Sequence, residues 1–444
     1  MRVRVRAYPV RVHALLEVDF RGETMRKTLQ FEEGQLRLSL REEKEYSMLN
    51  INGAHLLYLN ETATEYVKMI MEELDEEEVA KKMTKKYRVS KETAKKDYEQ
   101  VLFTILTLAS RRDICPFSHL GIESIQPFSR ELKAPHRFDL AVTYRCNNDC
   151  FHCYAGGPRE TKELTTDEWK KVIDIVDSLD VGSVIFTGGE PLLREDLREL
   201  VDYSRNLVTG LISNGRLLTA DMVSELERVE LDHVQITIEG FKETHNQMVC
   251  ADAWDECVQG IKNCIASSIF TLTNTTLTVW NADEVPDLLD FLSQVGLQRF
   301  ALNSIIKTGR AEDAEYGLTP QELKTHLEII KDKALDLGLE MVWYTPTRRC
   351  DFDPLLLGLG LKMCSAARIN VTVEPDGRVI PCQSWFESMG NILEDPWEKI
   401  WESPLAKSIR DKDYMPEECG TCLMIDECTA GCPLGDTGCR TLGG

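Results

Sequence analysis

Three cysteines fall within eight residues in Cys146-Asn-Asn-Asp-Cys150-Phe-His-Cys153, and thiols at such tight spacing in a reducing compartment point to metal. A tetrahedral zinc site wants a fourth donor, and His152 is adjacent to Cys153, where it is poorly placed to share the same ion. A four-iron cluster with only three protein thiolates leaves one iron open for a cofactor or substrate. Both readings stand on these residues alone. Further along, Thr187-Gly188-Gly189-Glu190-Pro191 joins two glycines, which let backbone approach a ligand closely, to a carboxylate that can accept from an amine. Ser213-Asn214-Gly215 and Thr237-Ile-Glu239-Gly240 are further polar turns, as are Glu243-Thr-His245-Asn and Thr308-Gly309-Arg310-Ala311.

The tail holds another constellation. Cys364 is followed by Gly377 and Cys382, then by Cys419-x2-Cys422-x5-Cys428-x3-Cys432 and by Cys439, seven thiols that exceed any single-ion site. Two zinc ions are one way to use them and polynuclear clusters another. Cys350 stands beside Arg348 and Arg349, which favour its thiolate, and is a further candidate ligand. Cys250, Cys257 and Cys264 fall seven apart, the last two on one stripe of a helix starting near Trp254. They read as small buried hydrophobes rather than ligands.

These residues must be positioned by a chain of 444 residues with 52 Lys plus Arg against 74 Asp plus Glu, a formal charge of −22. So acidic a surface disfavours a nucleic-acid partner. An apolar content of 43% is enough for a sizeable core. No apolar run of about 18 residues suggests a membrane helix. No apolar stretch follows Met1-Arg-Val-Arg-Val-Arg as a secretory signal would require. A cytoplasmic location follows, where the 15 cysteines stay reduced and serve metal rather than disulfides.

Alternation at Val3, Val5, Val10, Val12 and then Leu36, Leu38, Leu40 predicts short antiparallel strands up to about residue 45. Helices follow from Asn60 to about Leu74, from Glu77 to Tyr87, and from Ser90, a capping residue, to about Ala109. Residues 1–112 thus read as a winged-helix-like domain, and the acidic run Glu72 to Glu78 disfavours its use on DNA. A Pro-containing linker spans 113–136. Over 137–338, six β-rich runs starting at Phe138, Ser183, Leu207, His233, Phe270 and Phe300 alternate with amphipathic helices. The fold class is α/β, a partial (βα)6 barrel of the TIM type whose working face lies at the C-terminal strand ends. Residues 339–444 form a compact tail held by metal.

The three cysteines of the first loop, with His152 in the position of an aromatic-type residue, resemble the signature of the radical S-adenosylmethionine (SAM) superfamily. The resemblance implies a four-iron cluster on Cys146, Cys150 and Cys153 that binds SAM at its open iron. It also implies SAM contacts from His152, Gly188, Gly189, Glu190, Pro191, Ser213, Asn214, Thr237 and Glu239, with the Gly-Gly-Glu loop holding the methionine amine. The tail resembles the SPASM domain. That implies two auxiliary four-iron clusters, one on Cys364, Cys382 and Cys432, the other on Cys419, Cys422, Cys428 and Cys439. The first would take a fourth ligand from Cys350 or Cys115, or stay open to substrate.

Residues 46–112 resemble a RiPP recognition element, similar to the chaperone of pyrroloquinoline quinone biosynthesis, on Leu59-Asn-Glu-Thr-Ala63, Val79, Met83, Tyr87 and Val89-Ser90. An extended leader peptide would then add a strand to the small sheet. The implied activity is reductive cleavage of SAM to a 5′-deoxyadenosyl radical that modifies a ribosomal precursor peptide by an oxidative thioether or carbon-carbon crosslink. A one-electron reductant such as flavodoxin or ferredoxin is the implied second partner; neither nucleic acid nor membrane is. Maturation of another enzyme or its cofactor, including tungsten and quinone systems, is the alternative, and a non-catalytic zinc scaffold the remote one.

Overall fold

The computed structural model describes residues 20–21, 24–31, 34–42, 46–51, 55–110, 132–158 and 161–435. The strands expected at Val3 to Val12, together with Cys115 and Cys439, lie outside the described residues. The chain divides into two compact units, Met1–Ile125 and Gln126–Gly444.

In the first unit β1 (Phe20–Arg21), β2 (Thr24–Phe31), β3 (Gly34–Glu42), β4 (Ser47–Ile51) and β5 (His55–Leu59) pair in sequence order as an antiparallel meander. The alternation at Leu36, Leu38 and Leu40 is realised in β3, where all three are buried. β4 and β5 were not legible from alternation, because β4 is buried at Met48, Leu49 and Ile51 with little polar relief between them. Three helices follow: α1 (Glu61–Met71), α2 (Glu76–Lys86) and α3 (Lys91–Ser110). Each starts at a side-chain cap, Asn60 accepting from Ala63 N, Asp75 from Glu78 N and Ser90 from Thr93 N. Tyr66, Val67, Ile70, Val79 and Met83 pack with Leu36, Leu38 and Leu40 into one core.

In the second unit the six expected strands are present: β6 (Arg137–Thr143), β7 (Ser183–Gly188), β8 (Val208–Ser213), β9 (His233–Thr237), β10 (Phe270–Leu277) and β11 (Arg299–Ser304). They are parallel neighbours in sequence order. The repeat runs one strand beyond the expected limit at Gly338. β12 (Glu340–Trp343) pairs parallel with β11, and Gly338, at φ 68°, ends the preceding helix Pro320–Leu337 in a left-handed turn.

The tail also joins the sheet rather than forming a separate layer. β13 (Asn370–Val373) pairs parallel with β6, and β14 (Arg378–Ile380) and β15 (Gly390–Asn391) extend that edge antiparallel. This long-range pairing has no local sequence signature. Helices between the strands bury Trp169, Val172, Leu226, Cys257, Ile261, Leu288 and Leu327 against the sheet. Because β6 to β12 are parallel, their C-terminal ends share one edge, and the loops there collect the polar turns.

Candidate radical SAM site

The loop carrying Cys146, Cys150 and Cys153 leaves β6 and is fixed from several sides. Asp149 N and Phe151 N donate to the carbonyls of Val249 (3.0 Å) and Met248 (3.3 Å), at the end of helix Lys242–Val249. Asn148 N and Asn214 Nδ2 donate to Cys146 Sγ at 3.4 and 3.8 Å, and Asn214 Nδ2 also donates to Asn147 Oδ1. Arg216 Nη1 donates to Asn148 Oδ1 at 3.1 Å. From the loop after β11, Arg310 N donates to Cys153 O, while its guanidinium donates to the carbonyls of Asp149 (2.8 Å) and Cys150 (3.1 Å). The Thr308 to Ala311 turn, noticed in the sequence without a role, is therefore a clamp on the cysteine loop. Arg216 had no sequence signal beyond following Ser213-Asn214-Gly215.

The Gly188-Gly189-Glu190 turn packs closely against the chain entering the cysteine loop. A Cβ on Gly188 would collide with Thr143 O, and one on Gly189 with Arg145 O. The glycines let β7 close on the chain entering the cysteine loop, where Gly189 N donates to Thr143 O (2.7 Å) and Glu190 N to Arg145 O (2.8 Å). The Glu190 carboxylate is fully buried. It accepts from Leu192 N (3.1 Å), Asn214 N (2.8 Å) and Ser213 Oγ (3.0 Å). Glu190 is thus a buried staple between two loops. Burial outweighs these donors and pushes its carboxyl up to about 7. Pro191 starts a short 3-10 turn beneath it.

Glu239 is likewise buried. Its carboxylate accepts from Thr276 N at 2.7 Å and meets His152 Nε2 at 3.0 Å, so it orients His152 rather than facing open space. His245, from the turn singled out in the sequence, accepts from Glu239 N at 3.1 Å through Nδ1, and burial lowers its pKa to about 4, keeping it neutral. Thr237 ends β9, in register with Asn274 of β10. Cys257 and Cys264 are core residues as expected, whereas Cys250 is exposed, because it caps helix Lys242–Val249 in a left-handed conformation.

The donors suit an iron–sulfur cluster. Burial pushes Cys146 up to about 11, with Glu190 and Cys153 raising it further, and pushes Cys150 well above its ordinary value, with Cys153, Glu239 and Cys146 raising it further. The buried thiols stay neutral by themselves, and giving up their protons would call for a cationic partner. Among the described residues no three His, Cys, Asp or Glu side chains are gathered closely enough to hold a metal ion. His152 Nδ1 is buried and without a hydrogen-bond partner among the described residues.

The tail thiols divide into two groups. Cys364, buried and pushed up to about 12, is raised further by Cys432, and Cys382 is raised by both, so these three are near enough to interact electrostatically. Cys419, Cys422 and Cys428 line a different cavity, and Cys350 lines it with them. Cys350 therefore lies beside the second group of thiols. The reason is long-range: Arg349 Nη1 pairs with Glu427 at 2.6 Å and draws the segment to Cys428. Cys439 lies outside the described residues.

Comparison with known proteins agrees with this geometry. Residues 140–292 match the radical SAM superfamily, and residues 364–423 match the SPASM iron–sulfur cluster-binding domain. Fe-coproporphyrin III synthase of Methanosarcina barkeri is 26% identical over 326 residues, 65% of this chain and 80% of that protein. The mycofactocin maturase MftC of Mycobacterium tuberculosis is 27% identical over 322 residues, 69% of this chain and 81% of that protein. In fold, the chain is similar to Streptococcus suis SuiB bound to the precursor peptide SuiA, with a TM-score of 0.67, 15% identity, and coverage of 92% of this chain and 96% of that one.

The parallel partial barrel and its cysteine loop define a radical SAM enzyme. This chain is one, with a SPASM-type iron–sulfur domain, and the two matches imply SAM and iron–sulfur clusters as its cofactors. Among the described residues no helix is long and apolar enough to cross a membrane.

Proposed function

We propose that the protein modifies a ribosomal precursor peptide, installing an oxidative thioether or carbon-carbon crosslink, with one SAM-binding and two auxiliary four-iron clusters. The observation that carries the peptide reading is the extent of the likeness to peptide-bound SuiB. A share of 92% of the chain includes much of the Met1–Ile125 unit as well as the barrel and tail. The meander and three helices of that unit suit leader binding, since β5 is an edge of the sheet among the described residues and an extended peptide can add to such an edge.

Cys146, Cys150 and Cys153 would hold the first cluster, which with SAM supplies a 5′-deoxyadenosyl radical able to take hydrogen from an unactivated carbon. The chain's own residues hold this site still. Arg310 and the Val249 and Met248 carbonyls fix the cysteine loop, Glu190 staples Ser213 and Asn214, and Glu239 sets the orientation of His152. Rigid placement of this kind lets the reacting carbon sit where transfer is fast and water is excluded. Closing a crosslink from a substrate radical releases one electron, which the tail thiol groups, through their clusters, suit the protein to accept. A flavodoxin or ferredoxin would supply the electron that starts the cycle.

The test is iron and acid-labile sulfide on anaerobically reconstituted protein, then 5′-deoxyadenosine release with dithionite and SAM, with and without candidate precursor peptides. About twelve iron atoms per chain and peptide-stimulated turnover are expected. Zinc in place of iron, or turnover stimulated by an iron porphyrin and by no peptide, would defeat the reading. The porphyrin arm is included because a coproporphyrin enzyme is among the relatives.

A further inference from the structure

We propose that Trp280 and Tyr316 are positioning residues for the cysteine loop. They clasp Phe151, between Cys150 and Cys153, and set how readily that stretch opens to solvent and how long it keeps a bound cluster. Only the retention of a cluster rests on the reading above; the clasp itself does not.

The two rings come from different loops, Trp280 from the turn after β10 and Tyr316 from the chain after β11. Phe151 meets both edge-on, with ring centroids 4.4 Å from Trp280 and 4.7 Å from Tyr316, and the two clasping rings stack on each other at 5.2 Å. Tyr316 adds a hold on the backbone. Its hydroxyl donates to Phe151 O at 3.4 Å, while Val279 N donates to Tyr316 O at 3.0 Å and joins the two loops. The turn that presents Trp280 is itself fixed by Asn281, which is fully buried, accepts from Thr278 N (2.8 Å) and donates to Glu239 O (2.7 Å) and Thr276 O (2.9 Å). The same Glu239 orients His152, so one turn acts on two successive residues of the cysteine loop.

The three rings lie outside the buried cores among the described residues, and Trp280 remains 45% exposed. A tryptophan so placed adds little to the packing of the barrel, and its contacts go to Phe151 and Tyr316 instead. Arg310 fixes the carbonyls of Asp149 and Cys150, ahead of Phe151, whereas Trp280 and Tyr316 hold the Phe151 side chain itself. Edge-to-face and stacked rings attract beyond the area they bury, so losing both Trp280 pairs should let the loop open about tenfold more often.

The experiment is alkylation of the full-length protein under anaerobic conditions after its iron is removed with a chelator. N-ethylmaleimide is the probe, and mass spectrometry reads the rate at each cysteine. Reaction of a protected thiol follows the local opening that exposes it. Trp280→Ala should speed alkylation of Cys150 about tenfold, and Tyr316→Leu should act in the same direction. Trp280→Phe, which keeps a ring against Phe151, should stay near the wild-type rate. Cys364 and Cys382, in the tail, should keep their rates in every variant. After reconstitution, about four iron atoms per chain should pass to a ferrous chelator faster from Trp280→Ala than from the wild type. Equal Cys150 rates in the wild type and Trp280→Ala overturn the inference. So does equal acceleration of Cys364 and Cys382, which reports a general loosening of the chain. Because the alkylation rates are read on iron-free protein, they decide the clasp separately from the proposed function.

Discussion

Arg310 Nη2 pairs with Asp149 Oδ1 at 2.6 Å, between two cysteines of the first loop. The same side chain donates to the carbonyls of Asp149 and Cys150, and Thr308 of the same turn donates to Ser384 O at 3.1 Å, two residues past Cys382. One turn after β11 therefore touches both the SAM-cluster loop and the chain leaving a tail cysteine. The exposed ion pair itself contributes little. The bonds to the carbonyls are charge-assisted and have no replacement in Arg310→Ala, which should cost about 1.5–3 kcal/mol of local order. The expected result is a large fall in 5′-deoxyadenosine release with tail iron retained, and Arg310→Lys should recover only part of it, since a point charge cannot make the same fork.

The Glu190 carboxyl is raised from 4.5 to about 7 by burial. The folded chain then holds a proton that the unfolded chain has lost, so this group's contribution to stability is full below about pH 4.5 and is lost as pH rises through about 7. Anaerobic urea unfolding across that range should show the midpoint of the wild type falling relative to Glu190→Gln, which has no such proton. Parallel curves would show that Glu190 titrates normally.

Gly189→Ala places a Cβ against the backbone carbonyl of Arg145, which has no rotamer by which to yield. Overpacking of this kind costs about 1–3 kcal/mol, and here it pushes on the entry to the cysteine loop. Weaker SAM binding by equilibrium dialysis and a lower thermal midpoint are expected together.

Replacing Cys146, Cys150 and Cys153 with Ala should abolish SAM cleavage while about eight iron atoms remain in the tail. Iron counting on the purified triple variant checks this, and loss of all iron would show that the centres are not independent.

Removal of residues 1–112 should leave uncoupled SAM cleavage in place, because the cysteine loop and its clamps all lie in the unit Gln126–Gly444. Leader affinity, read by fluorescence anisotropy of a labelled precursor peptide, should drop at least tenfold. Unchanged affinity would place leader recognition elsewhere.

The sequence by itself determined the inventory. Cysteine spacing sets how many thiols can meet within one loop, and the alternation of apolar runs with amphipathic helices sets the parallel sheet and hence the edge on which the polar turns collect. Both are local properties, readable without knowing what packs against what. The tertiary structure decided the partners. Glu190 turns inward to staple Ser213 and Asn214, Arg310 crosses from β11 to the loop after β6, and β13 pairs beside β6 across more than two hundred residues. The Arg349–Glu427 pair ties the segment of Cys350 to that of Cys428. Each is a contact between segments distant in the chain, chosen by burial and by the pairing of charges that only the folded arrangement brings within reach.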